Sequence, residues 1–278
     1  MLRGRRVVSA RRPPVVILCG GRGTRLHEGS RAPAGGVELP KPLVEIGGKP
    51  IVWHVVMLYA AQGFTRFVLA TGFGSVHVDS FVAGERWPAR VSVTCIDTGE
   101  DTQTGGRVGQ VREHLSQDER ICVTYCDGLA DVDLQELLAF HECHGALATV
   151  TVVRPQLQFG VAELARDGRV VGFREKPRSE HWVNGGFFCF EQAALEGMRE
   201  DSVLERAPLE LLAAAGELRA HRHTGFWRCM DTYKDAVALN ELWGTGRAPW
   251  KLWEPIDAPP ASPPARPRDP VGAAALEH

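Results

Sequence analysis

A glycine-rich turn with two nearby cations is the first feature of this sequence that could do chemistry. The apolar run Val15–Cys19 leads directly into Gly20-Gly21-Arg22-Gly23-Thr24-Arg25. Glycines after a buried strand let backbone N–H groups close around an anion at the sheet edge where α/β proteins bind their ligands. Arg25 ends this turn, and Lys41 lies between Pro40 and Pro42, which fix the backbone around it. Two cations beside such a turn suit a triphosphate, because they would screen its charge as pyrophosphate leaves.

Two familiar phosphate-binding motifs do not match this turn. A dinucleotide fingerprint needs a third glycine at the position of Leu26, and a Walker A motif needs Ser or Thr after Gly48-Lys49, where Pro50 stands. A plain tight turn is the alternative interpretation of the glycines.

Two carboxylates that follow predicted strands are candidate metal ligands. Asp127 comes just after the strand Ile121–Tyr125, and Asp231 follows the last predicted strand. A carboxylate at the carboxyl end of a parallel strand is well placed to hold Mg²⁺ against a nucleotide phosphate. The alternative role for both is turn or helix capping. Asp131, which precedes a helix, is the better candidate for a cap.

The histidines and cysteines carry a weaker signal. His141 and His144 lie three residues apart on a predicted helix and lack the i, i+4 spacing of the familiar zinc motif. Cys122 and Cys126 do not form a CxxC pair and are interpreted as small core residues. The sequence therefore predicts no zinc site.

Alternating strands and helices must position these residues. Strands separated by helices imply right-handed crossovers and a mostly parallel, Rossmann-like α/β sheet flanked by helices. After Val153 the strands become shorter, which predicts a smaller β-rich part inserted late in the chain. The predicted strands are Val15–Cys19, Phe67–Thr71, Val91–Ile96, Ile121–Tyr125, Ala146–Val153, Phe159–Ala165, Val170–Arg174, Gly186–Phe190 and two pieces within Leu218–Met230. The predicted helices are Lys49–Ala61, Val108–Leu115, Asp133–His144, Glu191–Arg199, Ser202–Ala215 and Thr232–Trp243.

Composition excludes several classes of protein. Of the 278 residues, 44% are hydrophobic and 24% charged, close to the globular average, and no apolar run is long enough for a membrane-spanning helix. Five arginines fall within the first twelve residues, so the remainder carries 27 basic and 34 acidic residues, a net charge of −7. That balance disfavours broad nucleic-acid binding. Seven cysteines, an odd number, suit a reducing compartment, and we expect a cytoplasmic protein.

The ends of the chain are expected to lie outside the folded unit. Residues 1–13 form an Arg-rich extension that we expect to be flexible. Seven of the eighteen prolines lie between Pro255 and Pro270, which predicts an extended tail over 255–272. Residues 273–278 look like vector-derived sequence. This leaves a folded unit over 14–254.

Several blocks of the sequence resemble the sugar-1-phosphate nucleotidylyltransferases, most closely the cytidylyl branch of that family. The opening blocks are LCGGRGTRL from Leu18 and PKPLVEIGGKPIVWH from Pro40. Further blocks follow: DTGEDTQTGGRV, VTYCDGLADVD, FREKP, WVNGGFFCF, GFWRCMDTYKD and LWGTGRAPWKLW. The similarity extends over roughly 15–254. Cys126 departs from the pattern, since it replaces the usual glycine before Asp127.

The resemblance implies roles for particular residues. Asp127 and Asp231 would hold Mg²⁺, and Arg25, Lys41 and Lys176 would neutralise phosphate charge. Glu175, Asn184 and Gly185 would bind the sugar. The nucleotide would contact Leu18, Gly20, Gly21, Gly23, Thr24, Thr102, Gln103, Gly105, Arg107 and Cys126. The resemblance also divides the folded unit into a nucleotide-binding part (14–153), a sugar-binding part (154–230) and a C-terminal helix and tail (231–254).

The activity implied is attack of a sugar 1-phosphate on the α-phosphorus of a nucleoside triphosphate. We expect CTP and α-D-glucose 1-phosphate as substrates and a homo-oligomer as the assembly. The alternatives are a thymidylyl- or uridylyltransferase of the same fold, or a silent relative that only binds a sugar nucleotide. The silent relative is disfavoured because five charged residues with proposed roles are all present: Arg25, Lys41, Asp127, Lys176 and Asp231.

Overall fold

The structure is a computed structural model that describes residues 12–23 and 39–253. Thr24 and Arg25 lie outside the described residues. So do the N-terminal extension up to residue 11 and the predicted tails 255–272 and 273–278.

The described residues form strands and helices in alternation over the first half of the chain. The strands are β1 (Val15–Leu18), β2 (Glu45–Ile46), β3 (Lys49–Pro50), β4 (Arg66–Thr71), β5 (Ser92–Asp97), β6 (Arg120–Tyr125), β7 (Gly128–Ala130), β8 (Ala148–Val153), β9 (Val161–Leu164), β10 (Val170–Arg174), β11 (Val183–Glu191), β12 (Leu218–Arg222) and β13 (Trp227–Cys229). The α-helices are α1 (Ile51–Ala60), α2 (Ser75–Gly84), α3 (Thr104–His114), α4 (Leu134–His144), α5 (Ala207–Ala214) and α6 (Tyr233–Gly244).

Seven of these strands make one sheet in the order β12-β8-β11-β6-β1-β4-β5. The pairs β1–β4, β1–β6, β4–β5 and β8–β12 are parallel, whereas β11 runs antiparallel to both of its neighbours. The expectation of a mostly parallel α/β sheet flanked by helices is therefore confirmed. Small antiparallel pairs accompany it, among them the late pair β9–β10.

Strand β1 shows why the sheet needs cover on both faces. All four of its residues are buried. Successive side chains of a strand point to opposite faces, and Val15 and Ile17 pack in one apolar cluster while Val16 and Leu18 pack in the other. A short, wholly apolar strand thus predicts two apolar layers, and the structure contains both.

Two strands lie elsewhere than the pattern predicted. β11 was expected to be a short strand of the late β-rich part, yet it spans nine residues and occupies a central place in the main sheet. β12 forms the edge of the same sheet. The chain order of strands does not fix their order in space, and long-range pairing places both here.

Some helix boundaries also differ from the prediction. Helix α2 was missed, although Val78, Phe81 and Val82 have the i, i+3, i+4 spacing of an apolar helix face. Val78 is its only buried residue, and Phe81 and Val82 pack against the core while only partly buried. The predicted helix over Glu191–Arg199 is a short 3-10 turn, Gln192–Leu195. The predicted start of a helix at Ser202 is also wrong, since α5 begins at Ala207 with Pro208 in its first turn.

The cap assignment of Asp131 is wrong as well. Asp133 caps α4, accepting hydrogen bonds from the backbone N–H groups of Gln135 and Glu136. Asp131 instead accepts from the N–H of Phe226. No helix within residues 12–23 and 39–253 is long and apolar enough to cross a membrane.

Candidate active site

A cleft of about 620 Å³ opens beside the carboxyl ends of β1 and β6. It is bounded by the glycine turn after β1, the segment that enters α3, the residues that end β6, and one residue after β13. Its lining residues are Leu18, Gly20, Gly21, Arg22, Gly23, Lys41, Glu100, Asp101, Thr102, Gln103, Thr104, Arg107, Tyr125, Cys126, Asp127 and Asp231.

The two predicted metal ligands lie together because two short strands pair. Asp127 immediately precedes β7, and Asp231 comes two residues after the end of β13. These strands are antiparallel, with Gly128 opposite Cys229, and Met230 donates its N–H to the carbonyl of Asp127. Residues more than 100 positions apart in the sequence thus meet at one edge of the sheet.

Lys41 bridges the two carboxylates. Its Nζ donates to Oδ2 of Asp127 and, over 2.8 Å, to Oδ1 of Asp231. Only 13% of the Lys41 side chain is exposed. Burial by itself would lower the pKa of Lys41, but the two carboxylates raise it above its usual value. The ammonium therefore stays charged in the cleft.

The position of Lys41 depends on the glycine turn. Lys41 begins a 3-10 turn, Lys41–Leu43, whose backbone is fixed by the flanking prolines. Gly23 has a φ of 63°, and a Cβ built on it would lie 2.8 Å from the Cβ of Lys41. A side chain at this position would be strained and would also displace the lysine.

The arrangement fits a divalent cation. Carboxylate oxygens of Asp127 and Asp231 and the Sγ of Cys229 all lie within 4.8 Å of one another. Hard cations such as Mg²⁺ prefer oxygen ligands, and the Lys41 ammonium already places positive charge between the two carboxylates. Burial, together with the carboxylate of Asp127, raises the pKa of the Cys229 thiol, so this group faces the site in its neutral form.

Arg107 lies against the glycine turn and is only 4% exposed. Its guanidinium donates to the carbonyls of Thr71 (2.8 Å), Gly99 (2.8 Å) and Gly20 (3.0 Å). Further bonds go to the hydroxyl of Thr98 and the carbonyl of Glu100. Arg107 thereby ties the turn after β1 to the segment that precedes α3.

This contact also explains the first glycine of the turn. A Cβ on Gly20 would lie 2.1 Å from the guanidinium of Arg107, so any larger residue would displace it. The predicted start of this helix at Val108 is wrong, because α3 already begins at Thr104. Gly105 and Gly106 in its first turn lie so close to the backbone of residues 199–204 that a Cβ on either would come within 3 Å of it.

The predicted nucleotide residues fall into three groups. Leu18, Gly20, Gly21, Gly23, Thr102, Gln103, Arg107 and Cys126 all line the cleft. Gly105 is buried against Ser202 instead. Thr24 lies outside the described residues, as does the predicted catalytic residue Arg25.

None of the predicted sugar residues lines the cleft. A bulge in β11 between Asn184 and Phe188 shifts the register against β8, and bulges commonly re-aim a side chain. Here Asn184 donates to the hydroxyl of Tyr125 over 3.0 Å. The neighbouring Gly185 accepts from the indole N–H of Trp227. Glu175 and Lys176 pair with each other at 3.5 Å and are well exposed.

Tyr125 was missed by the sequence analysis. Its hydroxyl donates to Glu205, whose other oxygen accepts from Thr104. Burial, and then the carboxylate of Glu205, raises the pKa of Tyr125. A chain of hydrogen bonds thus runs from Asn184 through Tyr125 to the start of α3. The signal available was an aromatic hydroxyl at the strand end just before Cys126 and Asp127.

Buried His54 anchors the segment that follows Lys41. Its Nε2 donates to the carbonyl of Ile46 in β2 over 2.8 Å. Trp243 and Trp250 pack against the ring. Burial lowers the pKa of His54 to about 4, so the ring is neutral at pH 7.

Comparison with known proteins agrees with this architecture. The family model described as nucleotidyl transferase matches residues 14–226. The chain is 38% identical over 265 residues to the glucose-1-phosphate cytidylyltransferase of Salmonella typhimurium, covering 86% of this chain and 99% of the relative. It is 36% identical to a probable glucose-1-phosphate cytidylyltransferase of Bacillus subtilis, covering 86% and 99%.

Solved structures share the fold at low identity. A crystal structure of HddC from Yersinia pseudotuberculosis complexed with GMP-PN has a TM-score of 0.62 at 20% identity, covering 84% of this chain and all of that one. A putative glucose-1-phosphate thymidylyltransferase from Bacillus anthracis also gives 0.62 at 20% identity, covering 83% and 95%.

The chain belongs to the nucleotidyl transferase family and, within it, to the sugar-1-phosphate nucleotidylyltransferases. Enzymes of this family join a nucleoside triphosphate to a sugar 1-phosphate and generally use a divalent metal ion. The resemblance carried by the sequence blocks is thereby confirmed.

Proposed function

We propose that this enzyme transfers a cytidylyl group from CTP to α-D-glucose 1-phosphate, giving CDP-glucose and pyrophosphate, with Mg²⁺ as its metal. The observation that carries the proposal is the cleft in which Lys41, Asp127 and Asp231 converge beside a glycine turn. The choice of base and sugar rests on the two relatives at 38% and 36% identity.

The metal would be held by the carboxylates of Asp127 and Asp231, and when bound it would neutralise charge on the triphosphate. The glycines of the turn line the same cleft, and the backbone N–H groups of such a turn suit phosphates. Lys41, with Arg25 from the adjoining segment, would neutralise the charge that develops on the leaving pyrophosphate. The phosphate of the sugar is already an anion, so the attack needs no general base.

The sugar phosphate would be held by Lys176, with Glu175, Asn184 and Gly185 at the sugar ring. Lys176 has a φ of 45°, which is unusual for a residue other than glycine. Such conformations concentrate at functional sites. Catalysis would then consist of aligning an anionic nucleophile with the α-phosphorus and neutralising charge.

The division into a nucleotide-binding part (14–153), a sugar-binding part (154–230) and a C-terminal part (231–254) belongs to the same proposal. Lys41 and Asp127 fall in the first part and Asn184 in the second, while Asp231 opens the third. We further propose a cytoplasmic homo-oligomer without a nucleic-acid partner, in line with the acidic balance of the chain outside its first twelve residues.

A pyrophosphate-release assay that crosses CTP, dTTP, UTP and GTP with several sugar 1-phosphates tests the proposal. We expect release with CTP, glucose 1-phosphate and Mg²⁺, and none after EDTA is added. A clear preference for dTTP or UTP would assign the enzyme to the thymidylyl or uridylyl class. Sugar-nucleotide binding without release under any pairing would instead indicate a silent relative.

A further inference from the structure

The ammonium of Lys41 occupies the space between the carboxylates of Asp127 and Asp231. We propose that Lys41 keeps the metal site closed in the nucleotide-free enzyme, and that the triphosphate opens it by drawing the ammonium away. Metal and nucleotide then bind cooperatively. This inference rests on the proposed function, because it assigns the metal to these two carboxylates.

The contacts show that Lys41 and a metal would compete. The ammonium donates to one oxygen of each carboxylate, and the lysine and Asp127 side chains are only 13% and 15% exposed. An oxygen of each carboxylate lies within 4.8 Å of the other, and Lys41 Nζ stands between the two side chains, so a divalent cation held by both carboxylates would need the space that the ammonium fills. Both cations cannot occupy that space.

The charge of the site also favours competition between Lys41 and a metal ion. Two ionised carboxylates with one ammonium carry a net charge of −1, whereas without the ammonium they carry −2. A partly buried site has a lower effective dielectric than water, so this difference strongly affects its attraction for a divalent cation. A metal ion that arrives without nucleotide therefore meets a pair of carboxylates whose charge Lys41 has already half neutralised.

The triphosphate supplies the ammonium with another partner. Lys41 lines the same cleft as the glycines that suit phosphate, and the backbone of Gly23 lies directly against its side-chain stem. A lysine ammonium is a compact charge on a flexible stem and can move between neighbouring anions without movement of the backbone. Transfer to a phosphate oxygen would free both carboxylates for the metal that accompanies the nucleotide.

Thermodynamic linkage gives this exchange a measurable form. A nucleotide that raises metal affinity by some factor must have its own affinity raised by metal to the same degree. Removing the lysine charge should give the nucleotide-free protein the part of this gain in metal affinity that comes from the freed carboxylates.

Binding of Mn²⁺ alone tests the inference. Free Mn²⁺ can be followed by its electron paramagnetic resonance signal in titrations of wild type, Lys41→Met and Lys41→Gln without nucleotide. We expect both variants to bind Mn²⁺ at least about tenfold more tightly than wild type, and we expect Asp127→Asn to abolish the gain in the Lys41→Met background. Lys49→Met is the matched control, because Lys49 is also ion-paired, to Glu85 at 2.8 Å, but lies outside the cleft lining. It should bind Mn²⁺ like wild type.

Two variants are used so that the test remains decisive if one fails to fold. The glutamine amide can still donate to one carboxylate but carries no charge, whereas methionine does neither. Equal Mn²⁺ affinity in wild type and in either folded variant would overturn the inference. That outcome would leave the proposed function intact if wild type still releases pyrophosphate from CTP and glucose 1-phosphate with Mg²⁺. Conversely, tighter Mn²⁺ binding by the Lys41 variants, with no nucleotidyl transfer by wild type, would overturn the proposed function but would still show that Lys41 competes with the metal.

Discussion

Two sets of proposed site residues are held in different ways: those that would act on the nucleotide and its metal, here called the nucleotide residues, and those that would bind the sugar phosphate, here called the sugar residues. Lys41 and Asp127 are ion-paired within the chain and less than one sixth exposed, and Arg107 is almost fully buried. Glu175 and Lys176 have side chains 63% and 44% exposed, with one 3.5 Å contact between them. The nucleotide residues are thus preorganised, whereas the charged sugar residues stand in solvent.

This difference predicts which substitutions affect stability and which affect activity alone. Preorganised charges need no reordering during reaction. Exposed long side chains lose rotamer freedom when they close on a ligand. Substitutions among the nucleotide residues should therefore disturb the fold as well as the chemistry, while substitutions among the sugar residues should disturb the chemistry alone.

Arg107→Met should show the largest effect on stability. The change removes all five hydrogen bonds of a nearly buried guanidinium, although the carbonyls of Gly20 and Thr71 keep other backbone donors. We expect a loss of about 3 kcal/mol in the free energy of unfolding. Urea denaturation measures it. Arg112→Met is the matched control on the same helix, because Arg112 is more exposed and bonds to side chains at the surface. Its loss should stay below about 1 kcal/mol; equal losses would remove the structural role assigned to Arg107.

Lys176→Met should affect activity without affecting stability. We expect turnover to fall at least ~10²-fold, the scale for losing one transition-state donor, with an unchanged urea midpoint. Arg174→Met is a control on the neighbouring strand β10, where Arg174 pairs with Glu163 and Glu180 at the surface. Near wild-type turnover for Lys176→Met would exclude its contact with the sugar phosphate.

His54 should make stability depend on pH. Its pKa is about 4 in the folded chain and about 6.5 when unfolded, so the unfolded state binds more protons between these values. The stability contributed by neutral His54 is complete above pH 6.5 and is lost as the pH falls towards 4. Between pH 7 and pH 5 the loss amounts to about 2 kcal/mol. In His54→Gln the fall in unfolding free energy over this range should be smaller by that amount, and an unchanged slope would contradict the buried neutral ring.

Tyr125→Phe should have the smallest effect. The hydroxyl joins Asn184 to Glu205, and losing it leaves the asparagine side chain with only its bond from the N–H of Gly186. We expect an increase of up to about tenfold in KM for the sugar 1-phosphate, corresponding to roughly 1.4 kcal/mol. KM for the nucleotide should remain within about twofold. An equal rise in both constants would show that Tyr125 supports the whole cleft.

The sequence predicted the parts of this enzyme that depend on local pattern. The apolar run of β1, the helix α1 and the strands β4 to β6 follow from periodicity, and Asp127 and Asp231 were identified by strand ends and family blocks. Long-range pairing was not predictable in this way. The antiparallel insertion of β11, the buried partners of Arg107 and the link from Asn184 to Tyr125 depend on which distant segments meet. Helix α2 was missed although Val78, Phe81 and Val82 follow the spacing of an apolar helix face.

If nucleotidyl transfer takes place where Asp127 and Asp231 converge, it must depend on the carboxylate of Asp127. Pyrophosphate release from CTP and glucose 1-phosphate should be compared between Asp127→Asn and Asp131→Asn. Asp131 is the matched carboxylate four residues on, which pairs with His223 at 3.0 Å and accepts from the N–H of Phe226, a bond that asparagine can keep. We predict a fall of at least ~10²-fold for Asp127→Asn and less than about threefold for Asp131→Asn. Full turnover by folded Asp127→Asn would contradict the account.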